Sequence, residues 1–283
     1  MNFPLSAALL LACAVTLRSQ EPPASPPKPA VPAPPASASG TPSGGAAPDP
    51  AKAIKRLDGS RYELNGIVFD KKTRAITLPA KLNMTDGLLE YALVHESGKV
   101  HESLLSTAVS PFDLNIVLLL LNYEAGTGFF DVSDKAAGAV PVKDPQIAPA
   151  SQVNVTLDWK AADGASKSAR LETLLLNLDK KATVTDGPFT YTGSMVMDDG
   201  AFMAMDTGSI LALYVDAAAL INNPREGNGN DDIWIPDKTK IPEKDTAVTV
   251  TLLPSAAKPA EKPAAKGKSK SKPKPAAKPP VKK

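Results

Sequence analysis

Histidine is the side chain best suited to acid–base chemistry near neutral pH, and both histidines of this chain lie in one segment, VHESGKVHES, residues 94–103. His95 and His101 are each followed by Glu and Ser, residue types that could serve as zinc ligands or as a base with a nucleophile. Zinc needs three or four ligands, but the chain has no third histidine and a single cysteine, Cys13. Adjacent residues on a strand face opposite sides, so the consecutive side chains of a His-Glu-Ser run cannot act together as nucleophile and base. We therefore expect no metal and no cofactor.

The turn between the two histidines decides whether they can meet. A two-residue turn at Ser97 and Gly98 places His95 and His101 on opposite faces of a hairpin, whereas a three-residue loop places them opposite each other. We interpret the segment as a turn followed by a partly buried polar strand. The candidate binding residues in it are His101, Glu102 and Ser103.

A second segment, NNPREGNGNDDIW at residues 222–234, carries oxygen-bearing side chains at alternate positions, as a calcium loop does. An EF-hand loop also needs Gly at its sixth position and Glu at its twelfth. Starting from Glu226 these positions hold Asp231 and Asp237, and starting from Asn228 they hold Ile233 and Thr239, so both registers fail. We expect a polar loop that is held in place by its apolar end. The candidate binding residues in it are Asn222, Asn223, Asp231, Asp232 and Trp234.

The distribution of the 28 prolines separates a folded domain from its flanks. Eleven lie in residues 21–50 and seven in residues 254–283, among many Ala, Ser and Lys residues. Such compositions cannot bury enough apolar surface to offset the entropy of the chain. The sequence predicts one globular domain, residues 53–254, between a disordered linker, residues 21–52, and a disordered tail, residues 255–283.

Residues 1–20 are typical of an export signal. The apolar run FPLSAALLLACAVTL has the length of a signal-peptide core and is too short to span a bilayer. Ala12-Cys13-Ala14 fits a cleavage site, and LLAC, residues 10–13, is similar to a lipobox, so Cys13 is a candidate for lipidation. We expect an exported protein that is periplasmic, envelope-attached or extracellular, with no transmembrane helix in the mature chain.

The charge is unevenly divided. Residues 255–283 contain ten lysines and one glutamate, a charge of +9, while the first 50 residues are neutral. Because the whole chain carries +2, residues 51–254 carry −7. The tail could bind anionic envelope polymers or lipid headgroups, and export removes nucleic acid as the expected partner.

The hydrophobic periods predict a single strand-rich α+β domain with several antiparallel hairpins and one or two core helices. Two strands near 62–69 and 74–83 form a hairpin, and residues 88–107 form a second one that turns at Ser97 and Gly98. Ser110 and Pro111 suit the N-cap and first position of a helix. Residues 201–206 suggest a strand, residues 216–223 a short helix, and residues 246–253 a closing strand.

Five strings, KVHESLL, P-x-D-L…LLLL, GSIL-AL, ALINNP and DDIW, resemble the YdjY-domain family of bacterial exported proteins. The similarity covers about residues 55–253 and relates the family's His-Glu-Ser to His101, Glu102 and Ser103. Some relatives are described as ferredoxin-like, but this chain lacks the cysteines that an iron–sulfur cluster needs. The resemblance implies a shared fold and carries over no catalytic residue.

These patterns favour an exported or envelope-associated, non-catalytic binding or structural domain, because neither a phosphate-binding Gly-rich loop nor a nucleophile elbow occurs in the sequence. The alternative is a hydrolase-like enzyme that uses His101 and nearby carboxylates. A cleft that holds His101 beside carboxylates with shifted pKa values would favour the enzyme.

Overall fold

The computed structural model describes residues 53–255 except 127, 132, 134–138, 144 and 146. The predicted signal peptide, the linker before residue 53 and the tail after Ser255 lie outside the described residues. The described chain contains seventeen strands and two α-helices. The helices are α1 (Pro111–Leu120) and α2 (Met203–Thr207).

The strands, in chain order, are β1 (Lys55–Asp58), β2 (Arg61–Leu64), β3 (Ile67–Asp70), β4 (Ile76–Leu82), β5 (Tyr91–His95), β6 (Ser103–Thr107), β7 (Phe130–Asp131), β8 (Val140–Pro141), β9 (Gln152–Lys160), β10 (Ser166–Arg170), β11 (Leu175–Asn177), β12 (Ala182–Thr183), β13 (Phe189–Tyr191), β14 (Ser209–Ala212), β15 (Ile221–Asn222), β16 (Trp234–Pro236) and β17 (Ala247–Pro254).

Eight of these strands close into a barrel. Their order is β4-β17-β9-β13-β15-β14-β5-β6, and β6 pairs back with β4 through Lys81↔Ser106 and Leu82↔Leu105. Closure removes the free edges that an open sheet would expose. Strands β1 to β3 extend the sheet from β4, and β10 extends it from β9. Strands β4 and β9 therefore each pair with a strand outside the barrel as well as with their barrel neighbours.

The interior of the barrel follows the two-residue period of its long strands. Val153, Val155 and Leu157 of β9 are buried while the residues between them are partly exposed, and β17 alternates in the same way. Strands β6 and β14, in contrast, are buried along their whole length. A strand covered on both sides has no solvent-facing positions, so its sequence shows no alternation of apolar and polar residues.

Helix α1 begins where the sequence predicts. The Ser110 hydroxyl accepts a hydrogen bond from the Asp113 backbone N–H at 3.4 Å, and Pro111 occupies the first turn. Leu114, Val117 and Leu118 are buried in the main hydrophobic core together with residues of the barrel strands. No helix within the described residues is long and apolar enough to cross a membrane.

The predicted fold class is wrong. The chain forms a strand-rich fold with a closed eight-stranded barrel, and only 13% of it is helical. It is not an α+β fold built around core helices. The reason is that closure depends on strands far apart in the sequence, such as β4 and β17, whose pairing leaves no local pattern.

Three local predictions are also wrong. Strands β5 and β6 do not form a hairpin but pair in parallel, with a 3-10 turn at Val100–Glu102 between them. Residues 216–223 form a turn and then β15 instead of a helix, because the Asp216 carboxylate accepts the Ala218 N–H at 2.8 Å. The strand predicted at 201–206 is mostly helix α2, which ends at Gly208 with a φ of 72°.

Candidate functional site: the Trp234 cleft

A cleft of about 220 Å³ lies between the small sheet β12-β11-β16 and the loop that follows β15. The loop belongs to the polar segment 222–234 that the sequence singles out. Residues that line the cleft include Asn177, Lys180, Thr183, Arg225, Glu226 and Trp234. We call it the Trp234 cleft.

The start of the loop is fixed by two buried asparagines. Asn222 Oδ1 accepts the Asp216 N–H at 2.8 Å, and its Nδ2 donates to Thr192 Oγ1 at 2.9 Å. Asn223 Nδ2 donates to the Leu213 carbonyl at 3.1 Å. Buried amides must find such partners, so these side chains hold the backbone in place and are not free to contact a ligand.

Arg225 builds one wall of the cleft. Its Nε donates to the Thr185 carbonyl at 2.6 Å, its Nη2 donates to the Gly187 carbonyl, and its Nη1 donates to Asn223 Oδ1 at 3.1 Å. The guanidinium also stacks 4.6 Å from the centre of the Phe189 ring. Burial lowers the pKa of Arg225 from its usual value. The wall is therefore pre-formed.

The mouth of the cleft carries an exposed ion pair. Lys180 Nζ lies 3.0 Å from Glu226 Oε2, and both side chains reach solvent. With Arg225 the lining holds two cations and one carboxylate, an excess of one positive charge. Exposed pairs of this kind are weak, so Lys180 can exchange its partner for a ligand at little cost.

Trp234 closes the bottom of the cleft. The residue is 1% exposed, and its Nε1–H has no hydrogen-bond partner among the described residues. A Cβ added at Gly227 would lie 4.0 Å from both Trp234 Cζ2 and Asn177 Nδ2, so the indole packs beside the start of the loop. A buried donor without an acceptor costs about 1–3 kcal/mol, which an entering acceptor would recover.

An ion network behind the Arg225 wall joins a buried glutamate to two exposed partners. Glu172, which is 1% exposed, pairs with Arg170, whose Nη1 in turn lies 2.6 Å from Asp186 Oδ1. Burial raises the pKa of Glu172, and the charges of Arg170 and Arg225 oppose that rise. Sequence reasoning missed this network. Its only signal is an acid inside the apolar run LETLLLNL, residues 171–178.

The two aspartates of the loop that the sequence suggests as binding residues are not part of the cleft lining. Asp231 and Asp232 are exposed, and the Asp232 N–H donates to Asn230 Oδ1 at 3.0 Å as part of a turn. Within the described ranges, the structure brings no group of three or more His, Cys, Asp or Glu side chains into a position to hold a metal.

The His-Glu-Ser segment does not assemble a catalytic group. His101 is 78% exposed, and its Nε2 lies 3.7 Å from Glu102 Oε2. The Ser103 hydroxyl is buried and donates to the Lys99 carbonyl, so its proton is already engaged. His95 contacts Ser97 at 2.7 Å instead of His101. The hydrolase alternative therefore gains no support from this geometry.

The carboxylates beside His101 form an ion cluster around Lys99. Lys99 Nζ lies 3.2 Å from Glu102 Oε1 and 3.4 Å from Glu90 Oε2. Burial and, next, the charge of Glu102 raise the pKa of Glu90. Lys99 also lies 5.0 Å from the centre of the Tyr91 ring. Lys99, Glu90 and Glu102 are all partly exposed, so we interpret the cluster as ion pairs on the surface of the barrel.

Comparison with known proteins gives one match. The family model of the YdjY domain matches residues 67–253. No curated protein and no solved structure matches the chain. The match covers well over half of the sequence and includes the barrel, the Trp234 cleft and the His-Glu-Ser segment. The chain belongs to the YdjY-domain family, as its sequence strings predict.

Proposed function

We propose that this protein is an exported, non-catalytic binding domain whose Trp234 cleft takes a small oxyanion. The observation that carries the proposal is the Trp234 Nε1–H, a buried donor that finds no acceptor among the described residues and belongs to a side chain that lines a pre-formed cleft. A carboxylate or phosphate oxygen is the natural partner for such a donor.

The charge and size of the cleft support a small anion. Arg225 and Lys180 outweigh Glu226 in the lining, and Lys180 is free to swing toward a ligand. A volume of about 220 Å³ is below the roughly 300–1,000 Å³ of clefts that bury drug-sized ligands. The cleft therefore suits a small acid, or the end of a longer chain, better than a large cofactor.

The test uses the indole N–H signals of the two tryptophans in ¹⁵N-labelled protein. Acetate, succinate and inorganic phosphate are titrated in turn, with acetamide as the neutral control. We expect the Trp234 signal to move downfield with an oxyanion and not with acetamide. The Trp159 signal should stay in place, since Trp159 does not line the cleft. Trp234→Phe identifies the signal, and Trp159→Phe is its matched control.

A second pair of variants separates binding in the cleft from binding elsewhere. Thr185→Phe fills the mouth, while Thr249→Phe makes the same change at another exposed position, on β17. Loss of the oxyanion response in the first variant alone supports the proposal. Equal responses in both variants, or a Trp234 signal that ignores every oxyanion, would reject the cleft as the binding site.

We further propose that the protein acts outside the cytoplasm and that its basic tail holds it against anionic envelope polymers or lipids. The argument is the charge of +9 in residues 255–283 beside a domain that carries −7. Several lysines in contact with an anionic surface give an attraction that falls steeply with salt. Full-length protein should bind acidic vesicles at low salt, and a variant truncated after Pro254 should not. Binding that is indifferent to salt or to truncation would remove the tail from this function.

A further inference from the structure

Four of the six methionines of the chain lie in one segment, MVMDDGAFMAM, residues 195–205. They form two Met-x-Met pairs that are separated by a turn. Methionine normally fills gaps in a core, yet none of these four is fully buried. Their clustering at the surface needs another explanation.

The segment folds back on itself as a short hairpin. Val196 and Phe202 form an antiparallel bridge, and Met197 N–H donates to the Ala201 carbonyl at 2.9 Å. Met203 N–H donates to the Met195 carbonyl at 3.0 Å, so these two methionines lie directly opposite each other.

Three of the methionines therefore lie close together on the hairpin, with Met203 also the first residue of helix α2. Directly opposite residues have Cβ atoms about 4.5–5.5 Å apart, and residues two apart on one strand point to the same side. Met197 follows Met195 by two positions and is a diagonal neighbour of Met203, which long side chains can reach. We call Met195, Met197 and Met203 the thioether face.

The hairpin is anchored at its base. Ser194 Oγ donates to the Ala218 carbonyl at 2.6 Å and accepts the Ala204 N–H at 3.0 Å. Phe202 packs edge-on against Phe112 of α1, with ring centres 5.9 Å apart. The three thioethers are thus carried by a fixed backbone.

The thioether face is open to solutes. Met197 is 45% exposed, and Met195 and Met203 are half-buried. Asp198 and Asp199 are exposed at the turn, where their negative charge favours the approach of a cation. Met205 does not belong to this face, since its Sδ lies 3.3 Å from Ser110 Oγ of the cap of α1.

We propose that Met195, Met197 and Met203 bind one soft monovalent metal ion, Cu(I), through their three thioether sulfurs. Thioethers are soft ligands that favour Cu(I) over hard cations such as Mg²⁺ and Ca²⁺. The proposal concerns binding alone and is independent of the Trp234 cleft. The competing explanation is an apolar docking patch made of the same side chains.

The experiment titrates full-length protein with Ag(I), a soft monovalent ion that does not disproportionate, and then with Cu(I) under ascorbate. The protein carries Cys13→Ser, which removes the only thiol. Methionine methyl groups are labelled with ¹³C, so each sulfur reports separately. We expect the methyl signals of the thioether face to shift together and to saturate at one ion per chain, while those of Met84 and Met205 stay in place.

Leucine replaces methionine with little change in volume but removes the sulfur. Met203→Leu should weaken Ag(I) binding at least tenfold, whereas Met205→Leu on the same helix should leave it unchanged. Equal shifts at all methionines, saturation above one ion, or full affinity in Met203→Leu would overturn the proposal. Absence of any methyl shift with either ion would leave the docking patch as the explanation. If Met203→Leu fails to fold, the methyl shifts of the protein that keeps all its methionines still show whether the thioether face binds the ion.

Discussion

Arg225 is the residue on which the wall of the Trp234 cleft depends. Its planar guanidinium serves three acceptors at once, a geometry that a lysine cannot reproduce. Arg225→Lys should lower the free energy of unfolding by about 2–3 kcal/mol, because carbonyls of the 185–187 turn lose their donors. Urea denaturation measures the change. The control is Arg61→Lys, an exposed residue paired with Asp58, which should cost less than about 1 kcal/mol. Equal losses in the two variants would mean that Arg225 does not organise the wall.

Asp237 should make the stability of the protein depend on pH. Its carboxylate accepts hydrogen bonds from Thr239 Oγ1 at 2.7 Å and from Lys240 Nζ at 2.9 Å, and these contacts lower its pKa. A lowered folded-state pKa adds stability above the unfolded-state pKa, and that stability is lost as the pH falls through the folded value. Asp237→Asn should therefore cost about 1–2 kcal/mol at pH 7 and progressively less below pH 4. A loss that is the same at pH 7 and pH 3 would contradict this prediction.

His101 should tolerate replacement. The sequence suggests a partly buried residue whose removal costs roughly 1–2 kcal/mol. Because the ring is 78% exposed, we now expect His101→Ala to change the free energy of unfolding by less than about 0.5 kcal/mol. Thermal unfolding of the variant beside the wild type tests this, and a clear shift in midpoint would point to a role that the contacts of His101 do not reveal.

Part of the candidate site could be predicted from the residue types of one sequence segment. The polar segment 222–234 draws attention to Trp234 and to the asparagines that support the cleft, since amide and indole groups need partners when buried. Arg225 stands in the same segment, but its role depends on carbonyls of residues 185–187, which no local pattern connects to it. Glu172 was missed for the same reason.

At the scale of the elements, local signals are reliable where local contacts dominate. The cap of α1 and the strand β17 were predicted because a capping hydroxyl and a two-residue period act within a few residues. The β5–β6 hairpin was predicted wrongly because a turn-like Ser97 and Gly98 suggests an antiparallel return. Here the 3-10 turn Val100–Glu102 instead carries the chain back to start β6 parallel to β5.

Gly98 is needed for close packing and not for the predicted hairpin turn. It packs directly against Gly208, and a Cβ added to Gly208 would lie 2.8 Å from the Gly98 Cα. The contact brings the turn after β5 against the end of α2, and His95 N–H donates to the Gly208 carbonyl at 2.8 Å. Two glycines are needed because no side chain fits between the two backbones.

Gly208→Ala should therefore destabilise the protein more than its φ alone explains. Gly208 has a φ of 72° and Gly164 a φ of 82°, but a Cβ at Gly164 would meet nothing within 4 Å. We expect Gly164→Ala to cost about 1–2 kcal/mol from backbone strain and Gly208→Ala about 2–5 kcal/mol from strain plus overlap with Gly98. Denaturant unfolding of both variants measures the difference. Equal costs would show that the two turns can move apart.

At the scale of the whole molecule, barrel closure was beyond sequence reasoning. Strand β17 follows β4 by more than 160 residues, and β6 returns to β4 through only two residue pairs. Alternation along β17 shows that one face is buried, but it does not say which strands lie beside it. The presence of strands was therefore predictable, while their order was not.

The domain limits are open to a direct test. Limited proteolysis should trim the chain to a stable fragment of about residues 52–254, since segments of low apolar content are cut first. Mass spectrometry gives the ends of the fragment. Two stable pieces divided near residue 145, or a tail that resists the protease, would show that the predicted limits are wrong.

The position of β17 also has a mechanical consequence. This strand is bonded on one side to β4 from Ala247 to Leu252 and on the other side to β9 from Val248 to Pro254, and residue 255 begins the basic tail. Antiparallel hydrogen bonds run perpendicular to the strands, so tension applied along β17 loads both rows together and cannot open them one at a time. A tail fixed to a surface would thus transmit a pull in shear to a strand that is paired on both sides along nearly its whole length, an attachment suited to resist detachment under flow.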